Sequence, residues 1–398
     1  MAEITPTAAR GSLLLLAYLG FISLGLPDGL LGVGWPEIRD DFGVPTAAVG
    51  FVLTVGTAGY LISSVAGGFT IGRLGVGRLL TVSTVLASAA LTGYALSPAF
   101  AVLVSLAFLL GLGSGAVDSG LNAYAAGAFG PRHMNWMHAF FGLGVAIGPL
   151  IMTAALQAGL SWRAGYGMVA GAQVLLAIAF GVRVNSWGDR RSPGTTGRPR
   201  AVEVSTRATL RIPAVWVGAA SFAVYVAIEI GAGLWAFLLL TEGRGVNAAA
   251  AGVCVSAYWG ALFVGRLVFG LVSERIGSRV VLTGCLSGMA GGAALVALPA
   301  PAAVSVAGLM LIGFTAAPVF PLMTLTTADR VGAEHANRTI GLQIGAAGLG
   351  GALIPAGIGT ILQEHGVEWL GTALLVGALL LIVLYLLSNP RRLAQVRG

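Results

Sequence analysis

The chain has 398 residues, of which 57% are hydrophobic and 9% charged, and its mean hydropathy is +0.90. Soluble domains carry about 25% charged residues, so this composition excludes a soluble protein and predicts one that crosses a membrane many times. The net charge of +7 comes from arginines between apolar segments, so we expect no nucleic-acid binding. The chain contains no lysine, which excludes a Walker A phosphate loop. Cys254 and Cys285 lie in apolar segments and predict no disulfide framework.

Twelve apolar segments are each long enough, at about 20 residues, to cross a bilayer as a helix. The predicted fold is therefore an all-α membrane protein with twelve transmembrane helices. Their predicted bounds are 12–34, 47–71, 79–97, 101–128, 136–158, 163–184, 213–240, 248–272, 279–298, 302–326, 338–362 and 367–388.

The arginines predict how the chain is oriented. If the N-terminus lies in the cytoplasm, Arg39, Arg163 and Arg244 are the loop arginines that fall outside, and all the others fall inside. Cytoplasmic loops carry an excess of basic residues. We therefore expect a multi-pass protein of the cell membrane with both termini in the cytoplasm.

One long loop, 185–212, is rich in Arg, Pro, Gly and Thr and lacks an apolar pattern. This composition is typical of a flexible, solvated linker. The loop predicts two six-span bundles, 1–184 and 213–398, joined by a basic cytoplasmic linker.

The two halves repeat at an offset of 202 residues. Segment 43–50 matches 245–252, and three residues at or just beyond the end of the second span have counterparts at the same offset around the end of the eighth: Gly68, Arg73 and Gly75 match Gly270, Arg275 and Gly277. Two separate stretches with one offset indicate a duplicated unit, as in many secondary transporters.

The segment Gly68 to Arg78 resembles the cytoplasmic signature of the major facilitator superfamily: Gly, three residues, then Asp-Arg-x-Gly-Arg. Gly72 occupies the Asp position here, whereas the second copy keeps Glu274 beside Arg275. The resemblance implies two pseudo-symmetric six-helix bundles. It also implies gating or structural roles for Arg73, Glu274 and Arg275.

A narrower resemblance is to the fucose:proton symporter branch and related sugar permeases. It rests on Asp118 and Asn122 in the fourth span, on the block 134–142 that follows, and on three residues of the seventh span: Tyr225, Glu229 and Trp235. It implies proton-coupled uptake of a sugar-like small molecule by alternating access. The expected partners are this substrate, protons and membrane lipid, and we expect a monomer with no cofactor and no enzymatic activity.

Ionisable residues inside the spans are the strongest pointers to function, since a charge at a helix centre costs about 2.5 to 3.5 kcal/mol. Asp118 is the first candidate for the proton-coupling carboxyl. The fourth span places four residues on one stripe of its helix, which we interpret as a wall of the functional cavity: Gly111, Gly115, Asp118 and Asn122. Alternatively, the glycines let another helix approach closely and Asp118 is a paired interior group.

Asp28 is the second candidate for the proton, and His138 the third. Asp28 follows Pro27, and the glycines around it predict a kinked or unwound first helix that frees backbone groups. The alternative for Asp28 is an acid that reaches the outer interface. A histidine side chain ordinarily titrates near neutral pH, so His138 could gate proton exit, or it could be a plain interior hydrogen-bonding residue.

Glu229 and Asn122 are the leading candidates for substrate binding. Tyr225 lies one turn before Glu229, and an acid beside an aromatic ring suits the hydroxyl groups and the apolar face of a sugar. Weaker candidates are Trp235, Trp259 and Gln343. The alternative is that Glu229 pairs with Arg266, a gating or structural residue, only to hold the second half together.

Gly144 to Pro149 resembles part of the glycine-proline motif of drug:proton antiporters, but close helix packing with a proline kink also explains it. Two rival functions stay open at this point. One is drug efflux, which predicts dye extrusion without sugar uptake. The other is a membrane receptor that binds its ligand without transporting it.

Overall fold

The computed structural model describes residues 6–129, 131–187 and 205–388, which are almost wholly helical. A helix satisfies its own backbone groups, as the bilayer interior requires. The helices are α1 (Pro6–Phe42), α2 (Val49–Leu74), α3 (Val76–Leu96), α4 (Phe100–Ala128), α5 (Pro131–Gln157), α6 (Trp162–Val182), α7 (Thr206–Leu210), α8 (Pro213–Leu238), α9 (Ala248–Ile276), α10 (Ser278–Ala297), α11 (Ala302–Ala316), α12 (Val319–Leu325), α13 (Ala328–Val331), α14 (Ala333–His365) and α15 (Trp369–Leu387).

Within the described residues, twelve segments are long and apolar enough to cross a membrane, which confirms the predicted fold class. Two of the predicted segments differ from the observed helices. The first helix runs on to Phe42, beyond the predicted end at residue 34. The predicted tenth span, 302–326, is divided into α11 and α12 by a break at Ala317 and Pro318, because proline has no N–H to continue the helical hydrogen bonds.

The described helices fall into two compact units, α1 to α6 and α7 to α15. The same pairs of spans pack together in each. In the first unit α1 packs on α5, α2 on α4, and α3 on α6; in the second, α8 packs on α14, α9 on α11, and α10 on α15. The predicted linker, 185–212, lies largely outside the described residues, so its bounds and flexibility stay predictions.

The repeat is also visible in the backbone. Gly43 and Gly245 have φ angles of 61° and 64°, and Gly75 and Gly277 have φ angles of 74° and 89°. Side chains are disfavoured at such angles, so these turns select glycine. The 202-residue offset in the sequence therefore reflects two backbone turns that occur in both units.

Small residues let the helices of the first unit approach closely. A Cβ atom on Gly111 of α4 would collide with the backbone of α2 at Gly56, and one on Gly148 of α5 would lie 2.7 Å from backbone atoms of Gly29 in α1. Helix association in lipid depends on such contacts. The sequence left two roles open for Gly111, part of a cavity wall or a point of close helix packing. The structure places it in close packing.

Arg163 ties together three helices of the first unit. From the start of α6 it forms an ion pair of 2.5 Å with Asp41 at the end of α1, and its Nη2 donates to the carbonyl of Ser97, just after α3. Trp162 donates to the same Asp41 carboxylate at 3.2 Å. The ion pair is therefore part of a junction of α1, α3 and α6.

Arg244 makes the equivalent junction in the second unit, with the charges exchanged between helices. It follows α8 and forms an ion pair with Glu368, just before α15, while its Nη2 donates to two carbonyls at the end of α10, those of Val296 and Leu298, each at 3.2 Å. Its Nε donates to Ser305 at 2.9 Å. Only 7% of the Arg244 side chain is exposed, because these contacts enclose it.

Replacing Arg244 with glutamine should destabilise the second unit. The substitution leaves the carbonyl of the buried Val296 unpaired, at about 1 to 3 kcal/mol, and removes the ion pair with Glu368, so we expect the midpoint of thermal unfolding in detergent to fall by roughly 5 °C. The matched control is Arg207→Gln, because Arg207 is an exposed arginine of the same unit. Equal midpoints for the two variants would contradict the junction.

Candidate functional site

The Asp118 carboxylate is held by hydrogen bonds to both of its oxygens. The Tyr60 hydroxyl on α2 donates to Oδ2 at 2.7 Å, and the Asn122 Nδ2, one turn later on α4, donates to Oδ1 at 2.9 Å. All three side chains are half-buried. Two neutral donors thus hold an acid in the second half of a transmembrane helix.

The amide of Asn122 is only half satisfied. Because its nitrogen faces the carboxylate, its Oδ1 points away, and this buried oxygen has no hydrogen-bond partner among the described residues. An unpaired buried acceptor costs about 1 to 3 kcal/mol. Such a group is expected to find a donor when a ligand arrives.

His138 joins this neighbourhood from α5. It lies within electrostatic range of Asp118, and its ring contacts Phe21 edge-on, with 5.1 Å between the ring centroids. Tyr60 is also within range of Asp28 on α1. The structure therefore brings together Asp118, Asn122 and His138, which the sequence had singled out, and adds Tyr60.

Asp28 has a different environment. Its side chain is exposed, and no hydrogen bond or ion pair to it occurs within the described part of the chain. The predicted unwinding of the first helix is wrong, since α1 is helical through both Pro27 and Pro36. The neighbouring Gly25 and Gly29 contact the backbone of α5, so their role here is close packing.

Gln173 explains how α1 continues through Pro27. Proline has no N–H, so the carbonyl four residues earlier, that of Ser23, loses its helical donor. The Gln173 Nε2 on α6 donates to this carbonyl at 3.2 Å. The side chain of Gln173 is 2% exposed, and it supplies the bond that the proline removes, one turn before Asp28.

The second unit has its own polar cluster around Glu229 of α8. Arg266 of α9 pairs with Glu229 Oε1 at 3.5 Å. The Tyr225 hydroxyl donates to Oε2 and also lies 3.0 Å from the carbonyl of Ala316, where α11 ends. Tyr258 donates to the backbone carbonyl of Glu229 at 2.7 Å.

The sequence indicated an ion pair with Arg266 as the alternative role of Glu229, and the structure contains that pair. The Glu229 and Arg266 side chains are 14% and 25% exposed, so the pair is not sealed in the core. A ligand that approached Glu229 would meet a carboxylate whose charge is already balanced. The contacts of Arg266 also distinguish it from an arginine that reaches only for lipid headgroups.

Two of the three weaker candidates have buried side chains that are already paired. Trp235 is 1% exposed and donates to the carbonyl of Pro355 at 3.0 Å. Gln343 is 2% exposed, and its Oε1 accepts from Thr327 at 3.0 Å. The substrate contacts of Trp235 and Gln343 stay predictions, and both would require these buried side chains to give up their present partners. The half-buried Trp259 packs against Gly233 of α8 and stays a candidate.

The predicted gating residues lie near helix ends. Arg73 is exposed near the end of α2, with its guanidinium 4.0 Å from the centre of the Phe69 ring. Arg275 is exposed at the corresponding place in α9. The side chain of Glu274 lies outside the described residues, so its predicted role stays untested.

The glycine-proline segment of α5 contacts α1. A Cβ atom on Gly144 would collide with the carbonyl of Ile22, and Gly148 and Pro149 lie against Gly29. These contacts support the packing interpretation of this segment rather than an antiporter motif.

Three polar residues that the sequence reasoning missed are Tyr60, Tyr258 and Gln173. Each was overlooked because it carries no charge. Tyrosines of membrane proteins concentrate at the two interfaces, whereas Tyr60 and Tyr258 lie well inside α2 and α9. Their positions away from the helix ends were the signal that could have identified them.

Comparison with known proteins gives a family and a fold. The sequence model of the Major Facilitator Superfamily matches residues 17–355 and 222–398. The glucose/mannose transporter GlcP of Bacillus subtilis (strain 168) is 22% identical over 389 residues, which cover 91% of this chain and 92% of that protein. The human sodium-dependent glucose transporter 1 is 28% identical over 142 residues, covering 34% of this chain and 27% of that protein.

Solved structures of similar shape are transporters as well. A crystal structure of a mutant of the nucleoside transporter NupG has a TM-score of 0.76 at 12% identity, covering 96% of this chain and 98% of that one. A bacterial homologue of the lysosomal transporter Spinster, inward-facing and unoccupied, has a TM-score of 0.71 at 14% identity, covering 97% and 98%. At these identities the likeness concerns the fold alone.

Replacing Gln173 with leucine should destabilise the first unit, because the carbonyl of Ser23 then has no donor in an apolar interior. We expect a loss of about 1 to 3 kcal/mol, seen as a lower midpoint of thermal unfolding in detergent. The control is Gln157→Leu, since Gln157 is an exposed glutamine of the same unit. A Gln173→Leu midpoint no lower than that of the control would show that the proline gap needs no donor.

Proposed function

This chain belongs to the major facilitator superfamily, and we propose that it is a secondary transporter that imports a hexose-like sugar together with protons. The observation that carries the coupling is the cluster of Tyr60, Asp118 and Asn122. It combines a carboxylate that can take up a proton with an unpaired amide oxygen that can accept a hydrogen bond.

The substrate class is supported by the similarity to the glucose/mannose transporter, which extends over nearly the full length of both chains. The polar side chains available to a ligand also suit a sugar. Asn122 offers an acceptor, and Glu229 offers a carboxylate whose charge Arg266 balances. Each of these two groups, taken within its own unit, suits a neutral hydroxyl group better than the charge of a cationic drug.

We propose that the coupling ion is the proton. Sodium is the alternative, because the human relative is named as a sodium-dependent transporter. Asp118 is the first candidate to carry the proton, and Asp28, an exposed carboxylate without a partner in the described chain, is the second. His138 lies within electrostatic range of Asp118 and is proposed to respond to the charge of that carboxyl.

Uptake of labelled hexoses into proteoliposomes tests this proposal. We expect D-glucose or D-mannose to accumulate when the outside is made acidic, and a proton ionophore to abolish accumulation. A sodium gradient at equal pH is the matched arm. Accumulation in that arm alone would assign coupling to sodium. No uptake of any hexose, together with dye extrusion, would favour efflux.

Asp118→Asn should separate proton coupling from substrate exchange. An asparagine cannot gain or lose a proton, so accumulation driven by a pH gradient should vanish. Counterflow needs no net proton movement and should persist. The matched control is Asp28→Asn, which removes the other intramembrane acid of the unit. If Asp28→Asn abolishes accumulation and Asp118→Asn does not, the proton belongs to α1.

A further inference from the structure

We propose that the Asn122 side-chain amide turns over when Asp118 gains a proton, so that it offers an acceptor to the substrate in one state and a donor in the other. This inference rests on the proposed function of the same site. It assigns to Asn122 the step that links the charge of Asp118 to the substrate. It also identifies a hydroxyl as the substrate group that Asn122 binds.

The observed hydrogen bonds define the first state. With Asp118 ionised, both of its oxygens are acceptors, so Asn122 must turn its nitrogen toward them. The distance from Nδ2 to Asp118 Oδ1 is 2.9 Å. The amide oxygen then points away and has no partner among the described residues. In this state the site presents an unpaired acceptor.

Protonation of Asp118 reverses the requirement. A proton from water that binds Oδ1 on the side facing Asn122 turns that oxygen into an O–H donor, and the amide nitrogen has no free lone pair to accept from it. A half-turn about the terminal torsion of Asn122 places the amide oxygen where the nitrogen was. This torsion is broad and nearly two-fold for asparagine. The amide oxygen then accepts from the carboxyl, and the NH₂ group points away as an unpaired donor.

Tyr60 favours this outcome over its alternative. Its hydroxyl donates to Oδ2 at 2.7 Å, and a proton on Oδ1 leaves that bond intact. A proton on Oδ2 would require the Tyr60 hydroxyl to turn from donor to acceptor, and it would leave the Asn122 oxygen still unpaired. The other titratable groups near the pair are His138 on α5 and, through Tyr60, Asp28 on α1. Neither contacts the Asn122 amide.

The inversion has a consequence for the substrate. In both states Asn122 presents one unsatisfied group toward the same place, an acceptor when Asp118 is ionised and a donor when it is protonated. A hydroxyl both donates and accepts, so it can pair in either state. A carbonyl can only accept, and an ammonium can only donate. The site therefore selects a ligand that presents a hydroxyl group, as a sugar does.

Infrared spectroscopy of the full-length protein in lipid nanodiscs tests the inversion without any sugar. Asparagine labelled with carbon-13 at the side-chain carbonyl is incorporated, and the Asn122 band is identified by its loss in Asn122→Leu or Asn122→Ser. On acidification this band should shift to lower wavenumber, because an unpaired carbonyl gains a hydrogen bond. The shift should vanish in Asp118→Asn and become smaller in Tyr60→Phe, which removes the hydrogen bond that favours a proton on Oδ1.

Two results would overturn the inversion. One is an Asn122 band that stays in place on acidification while Tyr60→Phe alters the protonated carboxyl band, which would assign the proton to Oδ2. The other is an equal shift in Asp118→Asn, which would assign the response to another acid. A shift as expected in a protein that accumulates no hexose would instead refute the proposed function and leave the amide inversion standing.

Discussion

The lack of water in a bilayer requires every backbone polar group to find a partner inside the protein, and the polar side chains here meet that requirement where helices end or are interrupted. Gln173 replaces the donor that Pro27 removes from α1. Tyr225 lies against the last carbonyl of α11, just before the break at Pro318. Arg163 and Arg244 donate to carbonyls at the ends of α3 and α10. Each contact joins two helices, so the interruptions are also where each unit is tied together.

The fold could be predicted from the sequence because it depends on patterns that single residues rarely disturb. Twelve apolar segments and the turns at Gly43, Gly75, Gly245 and Gly277 are visible without a structure. The path of α1 could not be predicted. Its proline and glycines suggest a broken helix, and only the distant Gln173 shows that the break is repaired. Sequence rules describe local strain, whereas this compensation comes from another helix.

The candidate site was predicted only in part, because its contacts between helices are likewise not visible in the sequence. Charged residues inside spans are costly and easily found, so Asp118, Glu229 and Arg266 were found. Their partners Tyr60 and Tyr258 are neutral. Placing them inside a span carries no large energetic cost that would distinguish them from packing residues. Burial then separates the aromatic candidates, since Trp235 is enclosed and paired while Trp259 is half-buried. Pairing and enclosure depend on three-dimensional contacts, and the sequence alone does not contain them.

The two units treat their intramembrane acids differently, and this difference favours Asp118 as the proton carrier. Glu229 is paired with an arginine, so a proton on Glu229 would leave Arg266 as an uncompensated charge. A charge that loses its partner where little water can reach it is destabilising, so a proton on Glu229 would come at the expense of an ion pair. The hydrogen-bond partners of Asp118 are a phenol and an amide, both neutral. They can accommodate a proton by turning a hydrogen bond around, and no ion pair has to break.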